Sequence, residues 1–177
     1  TFLAGITETE ATQVETSIED LVAEGESSEL EFKSSLRWDY VVNKVNSALE
    51  IVILKTIAAF SNFGGGTLII GVTDEGDIIG LEPDYLSLNG NRDEFERHLR
   101  NLLNDKIGTV FATNNLNIKF LSSGGKEVCK IDIKRAGKPI FLEITDKHGV
   151  KKKKFFVRSG NTSHELQIDE VTDYVKS

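Results

Sequence analysis

The chain has no methionine, one cysteine, one tryptophan and two prolines among its 177 residues. Cys129 alone rules out an internal disulfide framework, and a zinc site of the usual cysteine-rich kind cannot be assembled from it within one chain. A reducing, cytoplasmic compartment fits this usage. No apolar run approaches the roughly 20 residues of a membrane span, and the N-terminus lacks the charged and apolar regions of a signal peptide, so no membrane partner is expected. Without a methionine, the first residue reads as a processing boundary, with further domains expected outside this sequence. Positive charge is also short on average: the net charge is −7. That average argues against a polyanionic partner, but it conceals an asymmetry. From Lys130 to Arg158 ten Lys or Arg stand against three acids, Asp132, Glu143 and Asp146, which leaves about −14 for the remainder.

What is present is ordinary globular material, 39% hydrophobic and enough for one core. Residues 1–16 are polar without a clear period and read as a flexible arm or linker, with the domain over 17–177. Ser17 followed by Glu19 and Asp20 caps a short helix that Gly25 ends. Glu29 to Ser34 alternates, with Leu30 and Phe32 on one side and Glu29, Glu31 and Lys33 on the other, a strand with one polar face. Asn46 to Asn62 reads as a core helix carrying Leu54, Ile57, Ala58 and Phe60. Gly64 to Gly66 then supply left-handed conformations for its end, and Thr67 to Val72 reads as a strand covered on both faces. Asp74-Glu75-Gly76 predicts a hairpin whose second strand begins near Asp77. Arg92 to Asn104 predicts an amphipathic helix with Phe95, Leu99, Leu102 and Leu103 inward. Strands are expected over 117–121, 127–134, 140–145 and 153–158, and Asp169 is expected to cap a last helix docked by Val171, Tyr174 and Val175. This order predicts an α+β domain, a compact mixed sheet with a buried core helix and flanking helices.

Three acids could carry chemistry: Glu26, Glu31 and Asp74. Glu26 and Glu31 are five positions apart, about 140° apart on a helix and on opposite faces of an ideal strand, so neither regular element joins them. An irregular break after Gly25 can fold Glu26 back over the face of Glu31 and Lys33. With Asp74 arriving from a neighbouring strand end, three carboxylates meet beside a lysine, the oxygen-rich set that magnesium or manganese selects. Such an ion can activate water against a phosphodiester. The plainer reading is a hydrated strand face with Glu31 and Lys33 as neighbours. No nucleotide cofactor is expected: the glycines follow a helix instead of preceding one, and no Walker sequence occurs. Lys134, Arg135, Lys151, Lys152, Lys153, Lys154 and Arg158 form the phosphate-contacting set, although the lysine run alone also reads as a solvated hairpin edge. His98, His148 and His164 read as surface residues.

Taken together, ESSELEFKSS at Glu26 to Ser35, KTIAAFSNFGGGTLIIGVTDEGDIIGL at Lys55 to Leu81 and FFVRSGNTSHEL at Phe155 to Leu166 resemble the Schlafen-type Alba-like domain of prokaryotic proteins. The resemblance runs from about Leu21 to the C-terminus. It implies an α+β module that binds nucleic acid, RNA or DNA, often within a larger regulatory protein. In some Schlafen proteins an acidic metal-binding triad cuts RNA, and that triad falls on Glu26, Glu31 and Asp74, with Lys33 as the accompanying lysine. The resemblance therefore also implies a metal-dependent endoribonuclease as an alternative. The animal proteins pair two lobes and carry a zinc-binding set that is absent here. With one lobe, a homodimer would supply the cradle, and a non-enzymatic dimerisation module is the remaining alternative.

Overall fold

The computed structural model describes residues 15–176, so positions 1–14 of the expected arm lie outside the described residues. Helix α1 (Ile18–Glu24) starts where the Ser17 hydroxyl accepts from the Asp20 N–H at 3.2 Å. Strand β1 (Leu30–Lys33), a small hairpin of β2 (Trp38–Asp39) and β3 (Lys44–Val45), helix α2 (Ser47–Ser61) and strand β4 (Gly66–Ile70) follow. Helices α3 (Glu82–Ser87), α4 (Arg92–Lys106) and α5 (Thr109–Asn114) come next. Strands β5 (Leu116–Ser123), β6 (Lys126–Ile133), β7 (Phe141–Thr145), β8 (Lys151–Ser159) and β9 (Thr162–Leu166) lead to helix α6 (Ile168–Lys176).

The architecture is α+β. One four-stranded sheet has the order β1-β4-β6-β5, with β1 parallel to β4 and the other pairs antiparallel. A second, antiparallel sheet has the order β7-β8-β9. Helix α2 packs against both sheets, which explains why its apolar residues are not confined to one stripe. Ile53, Leu54, Ile57 and Phe60 are all buried, each fully buried side chain of this size stabilising the fold by about 1.5–3 kcal/mol. The expected two-sided strand is β4: Leu68 and Ile70 join the cluster around α2, while Ile69 joins Ile18, Phe32 and Val128 on the opposite face. None of the described helices is long and apolar enough to cross a membrane.

The end of α2 ties the two sheets together. Asn62 caps it and turns its side chain toward the second sheet, donating to Ile140 O at 2.8 Å and Phe156 O at 2.9 Å while accepting from Ile140 N at 2.8 Å. Of the three glycines, only Gly65 is left-handed, at φ 80°, where its N–H returns to Phe60 O at 2.9 Å. Gly66 serves close approach instead, since a Cβ there would stand 2.4 Å from the Phe60 ring and 3.0 Å from Glu29 O. Nothing in the structure explains Gly64.

Other expectations are corrected. The turn at Asp74 to Gly76 does reverse the chain, but only a single bridge, Val72 to Ile78, stands where a second strand was expected. The reason is that Ile79 and Gly80 both donate to Gly71 O, which bends the chain away toward α3. Helix α3 then buries Asp84, whose carboxylate accepts from the N–H groups of Leu36, Arg37 and Trp38 and pins the start of the small hairpin. Burial pushes this carboxyl above its ordinary range, against the three N–H donors that pull it down. Leu102 is only partly buried on α4, and α6 docks through Tyr174, whose ring meets Phe155 edge-on at 5.7 Å, while Val175 is exposed. Asp169 lies inside the first turn of α6 instead of capping it.

Candidate functional site

Strand β1 lies at the edge of its sheet, and the irregular segment before it folds back as the sequence requires. Glu26 accepts from the Phe32 N–H at 3.0 Å, which satisfies a donor on β1. Its carboxyl is pushed above the usual range, first by burial and then by the charges of Glu31 and Asp74, while the Phe32 N–H and Lys33 pull it down. The four groups named from sequence therefore share one electrostatic neighbourhood, with Asp74 at its exposed side.

Glu31 departs from the plainer expectation. It is buried, not hydrated, and two cations hold its two oxygens: Lys33 at 2.8 Å and Arg158 at 2.5 Å. Arg158 reaches across from β8 in the second sheet, donates to Ser27 O at 2.9 Å and lies over the Phe60 ring at 4.7 Å. At 3% exposure it is removed from any phosphate-contacting surface, which corrects its placement there. Arg158 was legible in FFVRSG only as a charge: Phe155 to Arg158 are all buried, so strand alternation does not mark which side it takes.

This arrangement does not fit a magnesium or manganese ion. Hard divalent ions take carboxylate oxygens, and both oxygens of Glu31 already face cationic nitrogen. Among the described residues no three His, Cys, Asp or Glu are placed to share an ion. A divalent ion at Glu31 would also stand beside two positive charges, a repulsion that burial enlarges.

The basic residues divide into two groups. On β8, Lys151 and Lys153 share one face and Lys152 and Lys154 the other, as strand geometry demands. Three are paired with acids: Lys151 with Glu143 at 3.8 Å, Lys152 with Asp146 at 3.6 Å and Lys154 with Glu165 at 3.0 Å. Strand β9 pairs with β8 only from Phe155 onward, so these lysines overhang it as a partly bare edge. Lys134 and Arg135 instead lie on the exposed loop between β6 and β7, joined by Lys138. Lys138 and Lys153 line one cleft. Among the described residues Lys134, Arg135, Lys138 and Lys153 make no ion pair. Lys138 was missed in the sequence, although it sits in the same short KRAGKP segment as Lys134 and Arg135.

Residues 26–167 match the family described as Schlafen, AlbA_2. No curated protein matches. Among solved structures, the crystal structure of the DIP2311 protein from Corynebacterium diphtheriae is similar at 20% identity and a TM-score of 0.58, covering 91% of this chain. The chain spans only 28% of the length of that protein. The solution structure of the N-terminal domain of an ATP-dependent DNA helicase RecG-related protein from Nitrosomonas europaea is similar at 21% identity and a TM-score of 0.50. That likeness covers 86% of this chain and 95% of the other. At such identities the likeness is one of fold. The family match reaches from Glu26, ahead of β1, through β9, and on that span the chain belongs to the Schlafen, AlbA_2 family.

Proposed function

We propose that this domain binds nucleic acid, RNA or DNA, through the basic loop between β6 and β7 together with Lys153. One observation carries the reading: on a chain of net charge −7, Lys134, Arg135 and Lys138 stand exposed on one short loop, Lys138 shares a cleft with Lys153, and none of the four makes an ion pair among the described residues. Phosphate contacts follow such local potential more than the total charge. The family match and the helicase-related name of one structural neighbour support the same class of ligand. The paired lysines Lys151, Lys152 and Lys154 add to the field from further out, because surface ion pairs of this kind are weak and exchangeable.

Fluorescence anisotropy with labelled oligonucleotides across a salt series tests this. Four phosphate contacts give a slope of about −3 to −4 in log affinity against log salt. Reversing charge at Lys134, Arg135 and Lys138 together should flatten that slope and weaken binding. A flat response in the unaltered protein removes the reading.

Metal-dependent RNA cleavage by Glu26, Glu31 and Asp74 has less support, because it requires Arg158 to leave Glu31. Self-association is the second reading with an observation of its own. The β2–β3 hairpin presents Tyr40, Val41 and Val42 to solvent, Val41 at 91% exposure.

A further inference from the structure

The loop from Ala136 to Pro139 walls a cleft of about 670 Å³ that opens between the α4–α5 turn and the β7–β8 hairpin. Its size falls in the range of about 300–1,000 Å³ of small-ligand sites. Ile107, Val110, Pro139 and Phe141 give it apolar walls, and Lys138 and Lys153 stand on its lining. Two exposed apolar groups are conspicuous there: Val110, 70% exposed, and Phe141, 39% exposed beside a fully buried Leu142. The Phe141 ring packs against Phe155, with centroids 5.5 Å apart, and stays partly open to solvent. Acids are present as well: Glu143, which pairs with Lys151 at 3.8 Å and stands opposite Lys153 in the β7–β8 register, and Asp105, so two acids face Lys106, Lys138 and Lys153.

An exposed aromatic ring beside lysines is the pairing that single-stranded nucleic acid uses, stacking a base while cations track its backbone. A duplex turns its bases inward and offers this cleft only phosphates. An acidic peptide would match the charge but has no flat ring at every unit. We propose that the cleft seats an unpaired base of a single strand, with Phe141 as the stacking surface and Lys138 and Lys153 on the neighbouring phosphates. This rests on the nucleic-acid reading above and adds the strand form and the place.

The test compares a labelled oligodeoxythymidine with its duplex and with an abasic strand of equal length, all at one salt concentration. The unaltered protein should prefer the thymidine strand over both. Phe141→Ala should weaken that strand by about 5- to 150-fold, the worth of one stacked base. It should leave duplex binding unchanged, and Phe141→Tyr should restore the preference. Val110→Glu, on an exposed position that leaves the core intact, should also weaken single-strand binding by placing a negative charge at the cleft. Equal affinity for strand and duplex, or thymidine binding unmoved by both Phe141→Ala and Val110→Glu, overturns the cleft while nucleic-acid binding stands. Failure of the unaltered protein to bind any of the three overturns both.

Discussion

Glu26 and Glu31 occupy neighbouring ground, yet their surroundings give them different chemistry. Both oxygens of Glu31 are held by cations, whereas Glu26 has one N–H donor and is held above the ordinary carboxyl range first by burial and then by the charges of Glu31 and Asp74. The direction fixes its linkage to stability. Below the ordinary glutamate value both folded and unfolded chains hold the proton; above it the unfolded chain loses the proton first, and the folded state's advantage fades as pH rises through the raised value. Carboxyl-carbon NMR titration can follow this group. Asp74→Asn should lower the Glu26 midpoint by removing a like charge, and Lys33→Met should raise it; a midpoint unmoved by either would separate the four residues. From the sequence, the meeting of Glu26, Glu31, Lys33 and Asp74 was conditional on a chain break after Gly25 and on Asp74 arriving from a neighbouring strand end, and the resemblance gave it most of its weight. The sequence did not show Arg158 among them, since the pairing crosses 127 positions and two sheets.

At the scale of elements, α2 and β4 were legible because a long apolar run bounded by Asn46 and Asn62 leaves one helix, and a short Leu-Ile run after glycines leaves one buried strand. The small elements were not. β2 and β3 hold two residues each, too short for any period, and their position depends on the distant carboxylate of Asp84. Strand β9, TSHEL, lies at the sheet edge and is polar up to its last residue, Leu166, which leaves no apolar period to read. The α2–β4 junction yields a sharp expectation. Gly66→Ala drives a methyl into the ring of Phe60, a fully buried side chain that cannot swing aside, and should cost about 1–3 kcal/mol in urea unfolding. Gly64→Ala, in open space, should stay within about 0.5 kcal/mol. Equal effects from the two would mean that the close approach at Gly66 does not matter.

For the whole molecule, the apolar hairpin tip and the basic loop between β6 and β7 belong to different parts of the fold. The hairpin tip of Tyr40, Val41 and Val42 is joined by Leu86 on α3, which packs against β2. If this face joins two copies, sedimentation velocity should show mass rising with concentration, and Val41→Asp should abolish the rise without changing thermal stability. A monomer at every concentration removes the self-association reading. The basic region, by contrast, was visible in the sequence as a count but not as a shape. Counting gave four adjacent lysines as one patch, whereas the strand that carries them turns alternate residues to opposite sides, and among the described residues the cations of this region without an ion pair lie mainly in the loop between β6 and β7. The overhang of Lys151 to Lys154 beyond β9 has a selective effect on what can approach. A neighbouring protein strand adding itself to that bare edge would have to press its backbone among four ammonium groups, and a second copy of the same edge would bring four more. The edge thus resists growth into fibres, while a polyanion meets no such barrier.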